Sequence, residues 1–86
     1  MRSYLVESYV PRSHRRGVGA IGSRARAAAK ELASEGMPIR YVRTTFLPDD
    51  ETCFHLVETP ARSTVLELCR RAGLGQARIT RVVESS

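Results

Sequence analysis

An α+β domain with the element order β-α-β-β-α-β is predicted by three features of this chain. Two runs of strand composition, Ile39–Leu47 and Glu51–Thr59, flank a tight acidic turn at Pro48-Asp49-Asp50. A helix-forming segment with an apolar period of three to four lies on each side of that pair. Short Tyr/Val-rich and Ile/Val-rich runs at the two ends supply the remaining strands.

Residues 2–10 alternate, with Tyr4, Val6 and Ser8 on one face and Leu5, Glu7 and Tyr9 on the other, until Pro11 ends the run. Residues 11–17, PRSHRRG, form a polar loop. From Val18 the period changes: Val18, Ile21, Ala25, Ala28 and Leu32 recur every three or four residues, and RARAAAKELA has high helix propensity. Gly36 is a natural stop, with Pro38 just beyond. Ile39–Leu47 and Glu51–Thr59, rich in Val, Thr, Phe and Tyr, pair antiparallel through the PDD turn. Pro60 opens a second helix that buries Val65, Leu68, Cys69 and Ala72, and Gly73 closes it. Arg78–Val83 is a last strand, and Glu84-Ser85-Ser86 a tail. This order is the split βαβ of the ferredoxin-like fold. Right-handed crossovers put both helices on one face of a four-stranded antiparallel sheet, with the first and third strands central.

The 86 residues make one domain, 1–86. A chain this short buries only about 60% of its unfolded surface. Its two cysteines make no disulfide framework, so a homodimer is expected on stability grounds. No apolar run approaches the roughly 20 residues of a membrane span. Glu7 interrupts any signal-peptide core in MRSYLVESYV, so a cytoplasmic protein with reduced thiols and no membrane partner is expected. The formal charge is +5, and Lys30 is the single lysine among 14 basic residues. The arginines are dispersed apart from Arg12 with Arg15-Arg16, and Arg70-Arg71, which reads as solvated surface. Nucleic acid is not expected as a partner. The RNA-recognition motif shares the element order but stacks bases on third-strand aromatics, where this chain has Cys53, His55 and Val57, and Glu7 would repel phosphates.

Alternation within the hairpin makes Val42, Phe46, Phe54 and Leu56 the more apolar set, expected to face the helices with Tyr4, Val6, Ile79 and Val83. The opposite face would then carry Leu5, Glu7, Tyr9, Ile39, Tyr41, Arg43, Thr45, Cys53, His55, Val57, Thr80 and Val82. Such a surface is too apolar to stay bare. Two sheets meeting face to face would bury it around an internal cleft, which is a dimeric α/β barrel.

Three segments carry a resemblance to a known family. YLVESYVP, MPIRYVRTTFLPDDETCFHLVETP and RRAGLGQARITRVVE are similar to a family of small bacterial domains of unknown function, typified by an actinobacterial nickel-binding protein. The similarity covers nearly the whole chain, and PDDETCF is its most specific part. It implies a dimeric ferredoxin-like α+β barrel and nickel binding. The loop RSHRRG departs from the less basic stretch expected there.

His55 is the first candidate ligand, because neutral imidazole suits nickel, zinc and copper, and Cys53 or Glu7 could complete a set. The structural alternative is a histidine bonded to Glu7 or to a tyrosine. Glu7 is expected beside His55, serving as ligand or general base, or else paired with Arg43. Cys53 is a buried thiol or, beside His55, an activated one. A Cys53–Cys69 disulfide is not expected, since the two should lie on opposite sides of the sheet. His14 among its arginines reads as solvated loop, and Asp49-Asp50-Glu51 as turn chemistry. Two functions follow. One is a homodimeric metal-binding protein holding nickel, zinc or another divalent transition metal through His55, Glu7 and Cys53, with no organic cofactor. The alternative is a cofactor-free enzyme of monooxygenase, isomerase or cyclase type whose pocket lies inside the barrel. There Glu7 or His55 would be the base, Arg43 would stabilise developing negative charge, and Tyr9 and Tyr41 would line the pocket around a small-molecule ligand.

Overall fold

The six elements of the computed structural model, which describes residues 1–83, follow the expected order. They are β1 (Arg2–Tyr9), α1 (Val18–Ser34), β2 (Arg40–Leu47), β3 (Thr52–Thr59), α2 (Arg62–Ala72) and β4 (Arg78–Val82). The expected tail Glu84-Ser85-Ser86 lies outside the described residues. The strands form one sheet in the order β2-β3-β1-β4, and every neighbouring pair is antiparallel. The first and third strands are therefore central, as in the ferredoxin-like arrangement.

Local chemistry explains the boundaries. The Val10 N–H donates to the Glu51 carbonyl at 2.9 Å, so the chain leaves β1 against the β2–β3 turn, and Pro11 has no N–H with which to continue a ladder. The polar segment after it coils into a 3-10 turn, Arg12–Gly17, that runs straight into α1. Gly36, at φ +87°, ends the turn after α1, and the Met37 N–H returns to the Leu32 carbonyl at 3.0 Å. Helix α2 starts later than expected. Pro60 closes β3 instead, Ala61 stays extended, and Arg62 is the first helical residue. Gly73, at φ +68°, supplies the left-handed residue that stops α2, with the Leu74 N–H donating to the Cys69 carbonyl at 3.0 Å.

One core holds the domain together. Tyr4, Val6 and Val57 of the sheet meet Ala28, Ala29 and Leu32 of α1 and Val65, Leu68, Cys69 and Ala72 of α2. Both helices thus cover one face of the sheet and leave the other open. On β1, Tyr4 and Val6 face the helices as alternation expects. On β3 the expectation is reversed. Val6 pairs with His55 and Tyr4 with Val57, and residues directly opposite in an antiparallel pair share a face. Cys53, His55 and Val57 are therefore fully buried beneath the helices, while Phe54 and Leu56 belong to the open face. Both sets are apolar enough to be buried, so hydrophobicity alone does not choose between them.

On β2 the cause is a β-bulge. Tyr41 pairs with Val57 and Arg43 with Leu56, so Val42 is an extra residue and the alternation changes phase there. Tyr41 and Phe46 face the helices, and Arg43 and Thr45 face away. Ile39, expected on the open face, is buried in the core, and Val83, expected in the core, is 87% exposed beyond β4.

The helices are also tied together by charge. Arg71 of α2 donates to Glu31 of α1, to Glu35 just past the end of that helix, and to Glu67 of its own helix. Arg70 donates to Glu67 as well, and these bonds, Arg70's foremost, hold the Glu67 carboxyl down at about 2. The Arg71 side chain is only 18% exposed, so its network is screened less than a solvated pair. The substitution Arg71→Met is expected to lower the urea midpoint, and the loss should shrink in molar salt. An equal loss at both salt concentrations would mean that packing of the arginine stem, not charge, couples the helices.

Candidate functional site

The expected site residues fall into two groups on opposite faces of the sheet. Beneath the helices runs a chain of buried polar groups. The His55 Nδ1 lies 2.8 Å from the Thr44 hydroxyl, which is in turn hydrogen-bonded to the Tyr41 hydroxyl. On the other side of the ring, His55 Nε2 is 3.8 Å from Cys53 Sγ. Every member is satisfied if Tyr41 donates to Thr44, Thr44 donates to Nδ1, and the Nε2–H donates to sulfur. Among the described residues no buried side-chain nitrogen or oxygen lacks a partner.

The sheet places these groups by register, since Thr44 stands directly opposite His55 and Phe46 opposite Cys53. Helix α1 closes over them at Gly22. A Cβ there would sit 3.1 Å from the Thr44 hydroxyl oxygen and 3.4 Å from that of Tyr41. Outside the helix, the Arg26 guanidinium stacks 5.1 Å from the centre of the Tyr41 ring.

Burial sets the protonation states of this chain. It lowers the pKa of His55 and raises that of Cys53, favouring neutral imidazole and neutral thiol. A thiolate–imidazolium pair of the kind used for nucleophilic catalysis is thereby disfavoured, and both residues are fully buried. Cys69 is also free and buried. It lies on the same helix-covered side of the sheet as Cys53, so the reason given for expecting no disulfide was mistaken.

The open face has different contents. Leu5, Phe54, Leu56 and Val82 surround a hollow of about 340 Å³, with Arg43 and Thr45 as its polar rim. Glu7 stands one row away, opposite Phe54 on one side and Arg78 on the other. Its carboxylate makes no ion pair among the described residues, whereas Glu58, at the far end of the same face, is bonded to Arg40 at 2.8 Å. Tyr9 is 70% exposed at the end of β1 and does not line the hollow. Tyr41 is on the covered side.

The expected trio His55, Glu7 and Cys53 is therefore not assembled. His55 and Cys53 adjoin each other, but the sheet itself separates them from Glu7. Among the described residues no group of three or more His, Cys, Asp or Glu side chains converges. His55 and Cys53 by themselves supply two adjoining donors, and no third His, Cys, Asp or Glu side chain among the described residues completes a set with them. The expected pairing of Glu7 with Arg43 is absent too, since Phe54 and Leu56 stand between them. His14 and the Asp49-Asp50 turn are exposed, as expected. Alternation missed Phe54 and Leu56 as lining residues, and it also missed Thr44, which a sequence alone marks only as a polar strand residue. No protein-family model, curated protein or solved structure matches this chain.

Two outcomes are expected. Because the folded pKa of His55 is depressed, the unfolded chain binds the extra proton first. The stabilisation from His55 should be complete above its unfolded pKa of about 6.5 and fade as pH falls below it. Glu67 and Glu35, also depressed, add their loss only below 4.5. Urea unfolding between pH 8 and pH 5 (about one to two units either side of the unfolded histidine value) should give a slope that His55→Gln flattens, and an unchanged slope would remove His55 as its source. At Gly22, alanine should destabilise by about 1 kcal/mol because Thr44 is held from both sides and cannot retreat. Gly19→Ala, with nothing within 4 Å of its Cβ, should be neutral or gain up to about 1 kcal/mol.

Proposed function

We propose that this chain is a cytoplasmic homodimer that binds a small, largely apolar molecule between the open sheet faces of its two copies, as a dimeric α/β barrel. The observation that carries this is the open face itself. Leu5, Phe54 and Val82 are half-buried, and with Leu56 they enclose a hollow that nothing among the described residues covers. Fully burying such a side chain contributes about 1.5–3 kcal/mol. Contributions from both copies can offset the cost of association, which is about 4 kcal/mol or more. A volume near 340 Å³ is at the small end of ordinary ligand pockets, roughly 300–1,000 Å³. Among the described residues no helix is long and apolar enough to cross a membrane, and both thiols are free, in keeping with a reducing compartment. The resemblance to the small bacterial family supports the same barrel.

The metal-binding form of this family reading is set aside, because the expected donors lie on opposite faces. In a cofactor-free enzyme of this architecture, Glu7 rather than His55 is the group placed to accept a proton, and Arg43 the one placed to stabilise negative charge. Tyr9 and Tyr41 take no part.

Analytical ultracentrifugation tests the interface. The wild-type chain should sediment as a dimer at micromolar concentration. The double variant Leu5→Glu/Leu56→Glu should be monomeric, with an unchanged far-ultraviolet spectrum, because neither residue supports the helix-covered core. A wild-type monomer would overturn the barrel, and a dimeric double variant would move the interface to another surface.

A further inference from the structure

We infer that the molecule held on the open face is an amphipathic anion: an apolar body bearing one carboxylate, sulfonate or comparable oxyanion, anchored at Arg43. This inference rests on the ligand-binding role proposed above and specifies the chemistry of the ligand.

The argument begins with how Arg43 reaches this face. Without the bulge at Val42, strict alternation would put it on the same side as Tyr41, beneath α1. The bulge turns it outward beside Leu56, where it rims the hollow together with Thr45, two residues along the same strand. Its charge is left unanswered. Arg40, Arg70 and Arg71 each have a carboxylate partner, but Arg43 has none among the described residues.

The other charged groups on this face do not change that conclusion. Arg40 and Glu58 neutralise each other. Glu7 lies two strands away, on β1, with β3 between, and two strand spacings amount to about 9.5 Å. Arg78, opposite Glu7, adds a second cation. The face therefore carries one more positive than negative charge before any ligand arrives. Enclosing a guanidinium without a counter-charge is costly, so closing the barrel favours an anion at this point. A guanidinium accepts two oxygens of a carboxylate or sulfonate side by side, and the Thr45 hydroxyl can donate to the same group. The four apolar residues leave room for an alkyl or aromatic body and provide no further charge.

The remaining source of counter-charge is Glu7 of a second copy, and the experiment separates the two. Anilinonaphthalene sulfonate, an anionic dye, and Nile red, a neutral one, are titrated against the wild-type dimer, Arg43→Leu, Glu7→Gln and a distant control, Arg62→Leu. In the expected result the wild type binds both dyes, and decanoate displaces the sulfonate dye while decanol does not. Arg43→Leu should weaken the sulfonate dye about tenfold or more and leave Nile red unchanged. Three results would overturn the inference while leaving the ligand-binding role intact: decanol competing as well as decanoate, Arg62→Leu weakening the sulfonate dye as much as Arg43→Leu, or Arg43→Leu sparing it. Dissociation of the dimer by both Glu7→Gln and Arg43→Leu would assign the counter-charge to the second copy and overturn it as well. Binding of neither dye by the wild type would remove both proposals together.

Discussion

The position of β3 between β1 and β2 decides what each face of this sheet can do. Pairing of Val6 with His55 and of Tyr4 with Val57 fixes the inner side of β3, and the two-residue period then sends Phe54 and Leu56 outward. The bulge at Val42 adjusts β2 to the same plan. It allows Tyr41, Thr44 and Phe46 to lie beneath α1 while Arg43 and Thr45 escape to the open face. An unbulged β2 that kept Tyr41 inside would also bury Arg43, and an unpaired guanidinium in that position would cost far more than one irregular backbone step.

The buried chain from Cys53 to Tyr41 contributes more to specificity than to net stability. Each neutral hydrogen bond within it adds only about 1 kcal/mol over the same groups in water. Losing a partner costs more, because the remaining group is then buried without one. Thr44 and His55 meet only when they stand directly opposite each other. A one-residue slip of β3 would bury Phe54 and Leu56, which is tolerable for an apolar core, but it would also break the Thr44–His55 bond that joins the two strands and leave Thr44 buried without its imidazole partner. The polar groups thus penalise an alternative that hydrophobicity alone would permit. The absence of a side chain at Gly22 lets α1 settle onto them, so helix and sheet are matched by shape as well as by polarity.

The element order and the central pairing of the first and third strands were legible from periodicity, because Pro11, Gly36, Pro60 and Gly73 punctuate the chain near the observed boundaries. The facing of β1 was legible as well, since Tyr4 and Val6 contrast with Glu7. Strand β3 lacks that contrast. Its two sides read Cys53-His55-Val57 and Phe54-Leu56-Glu58, and size and apolarity favour burying the second, whereas register buries the first. Register depends on pairing with residues some fifty positions away, which no local pattern encodes. The bulge at Val42 is equally silent, because neither glycine nor proline marks it. Glu7, Arg43, Thr45 and Val82 were placed on the correct face. His55 and Cys53 were rightly placed next to each other, but on the wrong side of the sheet.

That inversion determines where chemistry can take place. The His55 chain is neutral, satisfied and roofed by α1, so a substrate could reach it only by lifting the helix from the core. Joining two copies through their open faces would not change this, because each His55 and Cys53 would remain on the outer side of its own sheet. The same joining would bring Arg43 and Glu7 of both copies toward one enclosed, largely apolar space. Of the two carboxylates on that face, Glu58 is already committed to Arg40, and Glu7 is not. Any proton transfer on a molecule held there would fall to Glu7, and any negative charge it carries or develops would fall to Arg43. The sheet divides the protein into a side that specifies the fold and a side free to hold a ligand.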